Sequence, residues 1–85
     1  MNFTYKTKGT CSSEITLNLE NGIVKNVIFR GGCNGNLKAI SKLVEGQEAT
    51  RVIEILKGNT CGPRDTSCAD QLTKALEAAL VAQNA

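Results

Sequence analysis

The stretch "LENGIVKNVIFRGG", residues 19–32, decides the fold, because it holds a turn fixed by its composition and a strand whose two halves disagree about which face is buried. Asn21-Gly22 is the preferred pair for a two-residue type I′ hairpin, since both positions must take positive φ. It joins "EITLNL" (14–19), with Ile15, Leu17 and Leu19 on one face, to "IVKNVIFR" (23–30). A two-residue turn pairs Glu20 with Ile23, Leu19 with Val24 and Ile15 with Ile28. Val24 and Ile28 then share the apolar face with Asn26, while Val27 and Phe29 point the other way. A bulge, or partial cover of the second face, would resolve the conflict.

Upstream, "FTYKT" (3–7) alternates apolar and polar residues and reads as a further strand. Downstream the period changes. Leu37, Ile40, Leu43 and Val44 fall at helical spacing, with Asn34 or Asn36 as N-cap and Gly46 as the stop. A second helix, about Ala49 to Lys57, is expected to bury Val52, Ile53, Ile55 and Leu56 and to end at Gly58. A third runs from Cys68 to about Ala82, with a buried stripe of Leu72, Ala75, Leu76 and Ala79 that extends to Leu80. Ser67-x-x-Asp70 fits a capping box at its start, and Asp65 adds negative charge there. No linker, repeat or low-complexity segment divides residues 1–85. The expected fold is a single α+β domain: a three-stranded antiparallel meander followed by three helices packed on one face, βββααα.

A chain of 85 residues buries a modest fraction of its surface, and with no Trp, one Tyr and two Phe its core must be built from Leu, Ile, Val and Ala. A staple or a bound metal would help such a domain. The net charge of +2 comes from scattered basic residues with no run of three, which argues against nucleic acid as a partner. "MNFTYKTKGT" has no apolar signal region and no stretch reaches the length of a membrane span, so the expected location is cytoplasmic, with no membrane association. Thiols are kept reduced there, which favours metal binding or redox chemistry over structural disulfides. The chain contains no His, which removes His ligands and any Cys-His nucleophile pair and makes a hydrolase a poor fit.

Four cysteines carry the remaining chemistry. In a meander the start of strand two and the end of strand three lie at one end of the sheet, which makes Cys11 in "GTCSSE" and Cys33 in "RGGCNG" neighbours. Cys61 and Cys68 flank a loop containing Gly62-Pro63 that is able to fold back. Cys11, Cys33, Cys61 and Cys68 are therefore the candidate metal ligands, an all-sulfur set. Paired C-x-x-C knuckles are missing, so spacing alone is a weak signal. Two disulfides, a reactive Cys61/Cys68 dithiol, or inert core thiols are the other readings.

"CGPRDTSCADQLTKAL" (61–76), taken with "FRGGCNGNL" (29–37) and the four cysteines in order, resembles the TSCPD domain family, in its short stand-alone four-cysteine branch. Ala69 stands where the family name has Pro, and Ala also suits a first helical turn. The resemblance implies kinship with the carboxy-terminal domain of adenosylcobalamin-dependent ribonucleoside-diphosphate reductases, enzymes that serve DNA synthesis, where the cysteine-rich tail is thought to bind metal or serve thiol chemistry. A fainter likeness is to iron-sulfur scaffold proteins of the IscU and NifU type, whose cysteine places are matched by Cys11, Cys33 and Cys68. The scaffold's C-G-D is "CSS" here and Cys61 is extra, so the fold carries over more readily than cluster assembly.

Three functions compete on this reading. The first is a metal-binding module holding zinc or an iron-sulfur cluster as an accessory to a larger reductase or other protein. The second is a thiol-disulfide carrier cycling Cys61 and Cys68. The third is an interaction domain that docks through Val27 and Phe29 on the second face of the sheet. Catalysis by the chain alone is not expected, because 85 residues cannot build a reductase barrel.

Overall fold

The computed structural model describes residues 1–32 and 34–84, Asn84 by its backbone alone. Strands β1 (Asn2–Lys6), β2 (Ser12–Glu20) and β3 (Ile23–Gly31) form an antiparallel meander in the order β1-β2-β3. Helices α1 (Asn34–Val44), α2 (Ala49–Leu56) and α3 (Cys68–Asn84) follow. The chain is thus the expected α+β domain, and no helix among the described residues is long and apolar enough to cross a membrane.

The Asn21-Gly22 turn forms as composition requires, with φ of 51° and 80°, and pairs Leu19 with Val24 and Glu20 with Ile23. Beyond it the regular register fails. Asn18 faces Lys25 but Thr16 faces Ile28, so Asn26 and Val27 together oppose Leu17 in a β-bulge, and Asn26 takes the left-handed φ of 53° that such a bulge demands. Ile15 therefore pairs with Phe29, not with Ile28. The bulge turns Val27 and Phe29 onto the face of Ile15, Leu17, Leu19 and Val24, and leaves Ile28 62% exposed on the other. Val27 and Phe29 are consequently core residues and cannot form a docking patch on the second face.

The helices cover the apolar face. On α1, Leu37 and Val44 are buried and Ile40 packs against the core, while Leu43 is 75% exposed. On α2, Ala49 and Val52 are buried, Ile53 and Leu56 pack beside them, and Ile55 is 61% exposed. The helical turn of about 100° per residue explains both departures: Leu43 and Ile55 each fall beyond the arc shared by the other apolar residues of their helix. From α3, Leu72, Ala75, Leu76 and Ala79 are fully buried and Leu80 partly so, the expected stripe. These α3 residues form one continuous core with the sheet and with Val44, Ala49 and Val52.

Asn34 and Asn36 lie inside the first turn of α1, so neither is its N-cap; residue 33 lies outside the described residues. The connection from α1 to α2 covers the first half of β3 as a strand would. Val24 donates to the Gln47 carbonyl (2.9 Å) and accepts from the Gly46 N–H (2.8 Å), and the Glu45 carboxylate accepts the Asn26 N–H at 2.8 Å.

Because Asn26 holds a left-handed backbone, Asn26→Gly should leave stability unchanged or raised. Asn26→Val should cost about 1–2 kcal/mol, the strain of a β-branched residue at positive φ. Urea midpoints of the variants check this.

Candidate functional site

A second irregularity in the β2–β3 ladder sets up the cysteine-bearing end of the sheet. Ser12 faces Gly31 while Glu14 faces Arg30, which leaves Ser13 as an extra residue. A bulge re-aims the side chain beside it, and here Ser12 turns inward to 3% exposure while Cys11 is exposed. Gly31 and Gly32 pass directly against Cys11 and Ser12. A Cβ at Gly32, whose φ is +81°, would lie 2.9 Å from Leu37 Cδ1 and 3.2 Å from the Ser12 nitrogen, so no larger residue fits there without displacement. The chain leading to Cys33 thus runs beside Cys11; Cys33 itself lies outside the described residues.

Cys68 opens α3, and its Sγ shares a 3.1 Å hydrogen bond with the Ser12 hydroxyl. The Ser12 carbonyl accepts from the hydroxyls of Thr7 and, at 3.1 Å, Thr10, which holds the β1–β2 connection around this contact. The Cys61 loop closes on itself through Cys61 N–H to Thr66 C=O (3.2 Å) and Arg64 N–H to Cys61 C=O (3.1 Å). It touches the β1–β2 connection where Arg64 Nη1 donates to the Gly9 carbonyl at 3.3 Å. Cys11, Cys61 and Cys68 are free thiols, the first two exposed and the third partly buried. Their segments arrive at one end of the sheet, although among the described residues no three Cys, Asp or Glu side chains are gathered as a metal would need.

The start of α3 is held by a polar network. Ser67 is the N-cap, its Oγ accepting the Asp70 N–H at 3.0 Å. Asp70 does not complete a reciprocal capping box. Its carboxylate accepts the Gly58 N–H at 2.7 Å and the Thr66 hydroxyl, tying the end of α2 and the cysteine loop to α3. The Ser67 hydroxyl donates to the Asn59 carbonyl. Gln71, 3% exposed, accepts the Lys8 N–H at 3.1 Å and donates to Thr66 Oγ1 at 3.0 Å. The Thr66 hydroxyl, then the Gly58 N–H, hold the Asp70 carboxyl below its ordinary pKa; burial opposes them, and Lys74 and Lys57 add to the lowering.

Ser12, Thr66 and Gln71 were not among the candidate site residues. For Gln71 a signal exists: it precedes Leu72 on the inward side of α3, and a buried polar residue needs partners. For Ser12 none does, because only the bulge turns it inward.

The network makes two predictions. Ser67→Ala should cost about 1 kcal/mol of stability, the value of an N-cap. Asp70→Asn should cost about 1–3 kcal/mol at neutral pH, because it leaves buried partners mismatched. Since the folded-state pKa of Asp70 lies below its unfolded value of about 3.9, the unfolded chain binds more protons in acid. Its charge-dependent stabilisation is full above that value and is lost as pH falls through the folded pKa. The gap between wild type and Asp70→Asn should therefore narrow in acid, as urea denaturation at neutral and acidic pH would show.

No curated protein and no solved structure matches the chain. The TSCPD domain matches residues 3–80, which takes in the three strands from Phe3, the three helices to Leu80 and every cysteine. The chain belongs to the TSCPD domain family.

Proposed function

We propose that this domain is a thiolate metal-binding module, with Cys11, Cys33, Cys61 and Cys68 as ligands for zinc or an iron-sulfur cluster, serving a larger partner such as a reductase. The observation that carries the reading is the Ser12–Cys68 hydrogen bond, which joins the start of β2 to the start of α3 and sets the Cys11 and Cys68 segments side by side. The donor chemistry fits: four thiols, no imidazole in the chain, and small backbone at Gly31, Gly32 and Gly62 beside three of them. When bound, the metal would supply either a fixed crosslink or, as a cluster, an electron store. The protein's part is to hold the thiolates. Ser12 orients Cys68 at the start of α3, and the exposed Cys61 loop is the element left to close on the others.

The fold does not wait for the metal on this reading. Its core is continuous, and among the described residues no buried side-chain nitrogen or oxygen lacks a hydrogen-bond partner. A true zinc finger, by contrast, unfolds without its ion. The accessory role rests on kinship with the carboxy-terminal domain of ribonucleoside-diphosphate reductases.

Protein purified anaerobically is expected to carry about one metal equivalent or cluster, read by elemental analysis and by the visible absorption of a cluster. Cys68→Ser should lose most of it while keeping its circular dichroism, since a hydroxyl is a poor ligand at neutral pH. Ser67→Ala should keep the metal. A metal-free wild type whose Cys61 and Cys68 oxidise reversibly to a disulfide would replace this reading with the thiol-disulfide carrier.

A further inference from the structure

The outer edge of β3 is covered in its first half and open in its second. Over Val24 to Asn26 the edge is occupied by the chain's own residues 45–47, which bond it through two backbone contacts and one glutamate carboxylate. From Val27 to Gly31 no described backbone group hydrogen-bonds to the outer edge, although α1 packs alongside. A cavity of about 370 Å³ lies there, between β3 and α1. Val27 and Ile28 both line it although they project to opposite faces of the sheet, so it runs along the edge itself.

The ladder indicates which groups the edge offers. Val24 spends its N–H and C=O outward, and its partner Leu19 donates to Met1 across β1. Ile15 lies four residues before Leu19 on β2, with the same alternation, so its partner Phe29 also presents N–H and C=O outward. The cavity floor is apolar, from Val27, Phe29 and Leu37, and its far wall carries Lys38 and Lys42, one helical turn apart on α1. Ion pairs of the described residues engage Lys6, Lys25, Arg30, Arg51 and Lys57, and neither of these two lysines.

We propose that this groove binds an extended acidic segment of a partner protein by strand addition to β3, main-chain bonds forming at Phe29 and carboxylates meeting Lys38 and Lys42. The molecule already carries a short version of this contact, where residues 45–47 lie along the same edge and Glu45 caps a β3 N–H. Charge selects the occupant. A second copy added across β3 would bring its own Lys38 and Lys42 to the same groove, and like charges so placed repel. The proposal is independent of metal binding, since it uses no cysteine.

The test uses a synthetic peptide of alternating glutamate and valine, titrated into isotope-labelled protein. Binding should shift backbone amides within residues 27–31 and 37–42. Lys38→Glu with Lys42→Glu, both exposed and outside the core, should weaken it about tenfold or more without changing the fold. N-methylating the peptide at every second residue should abolish binding in one phase and spare it in the other, because only one edge of an added strand faces β3. A lysine-for-glutamate peptide should not bind. The proposal is overturned if the acidic peptide fails to bind, if the charge-reversed protein binds it equally, if both N-methylated phases bind, or if the free protein dimerises through the β3 edge.

Discussion

The fold depends on one residue's willingness to sit at positive φ. Asn26 makes the strand gain a residue opposite Leu17, and only through that gain do Val24, Val27 and Phe29 come to share a face with Ile15, Leu17 and Leu19. Without it, half of β3 would bury its polar side and expose its apolar one, because a slip of one residue exchanges the faces of a strand. In a domain with few aromatic residues that loss would be hard to absorb.

The second bulge acts on polar chemistry. By turning Ser12 inward it gives the sheet a hydroxyl that meets Cys68 at the start of α3, and the site is organised around that meeting. Asp70 then fastens the end of α2 and the cysteine loop to the same helix start, and Gln71 fastens the β1–β2 connection. Three stretches distant in sequence are thus held by side chains within one turn of one helix. A carboxylate that accepts two hydrogen bonds inside the protein is a stronger tie than a surface ion pair, since it is less open to solvent.

How much of this was legible before the structure depended on the range of the signal. Asn21-Gly22, the alternation in β2, the Leu72–Ala79 stripe and the Ser67 cap are local, and each appears where its own residues require it. The conflict between Asn26, Val27 and Ile28 was also visible as a conflict, but its resolution needed the partner strand. Leu43 and Ile55 were assigned to the core because short helices leave a wide choice of apolar arc, and only packing against the neighbours selects one. That the chain leading to Cys33 runs beside Cys11 followed from the meander topology alone. The exposure of Cys11 and Cys61, the role of Ser12 and the diversion of Asp70 from the capping box did not, since each depends on contacts spanning many residues.

The Ser12–Cys68 hydrogen bond spans 56 positions of the chain, and this has a kinetic consequence. The β2–β3 hairpin closes a loop of two residues and α3 is built from local bonds, so both can form early, whereas their junction must close most of the chain. The docking of α3 on the sheet, cysteine-bearing end included, is on that account a late step of assembly. Until then Cys68 lacks its neighbour from the sheet, and a chain emerging from synthesis or recovering from partial unfolding presents that thiol to solvent and oxidants. The rate at which Cys68 reacts with a thiol reagent during refolding therefore times the docking of α3 on the sheet.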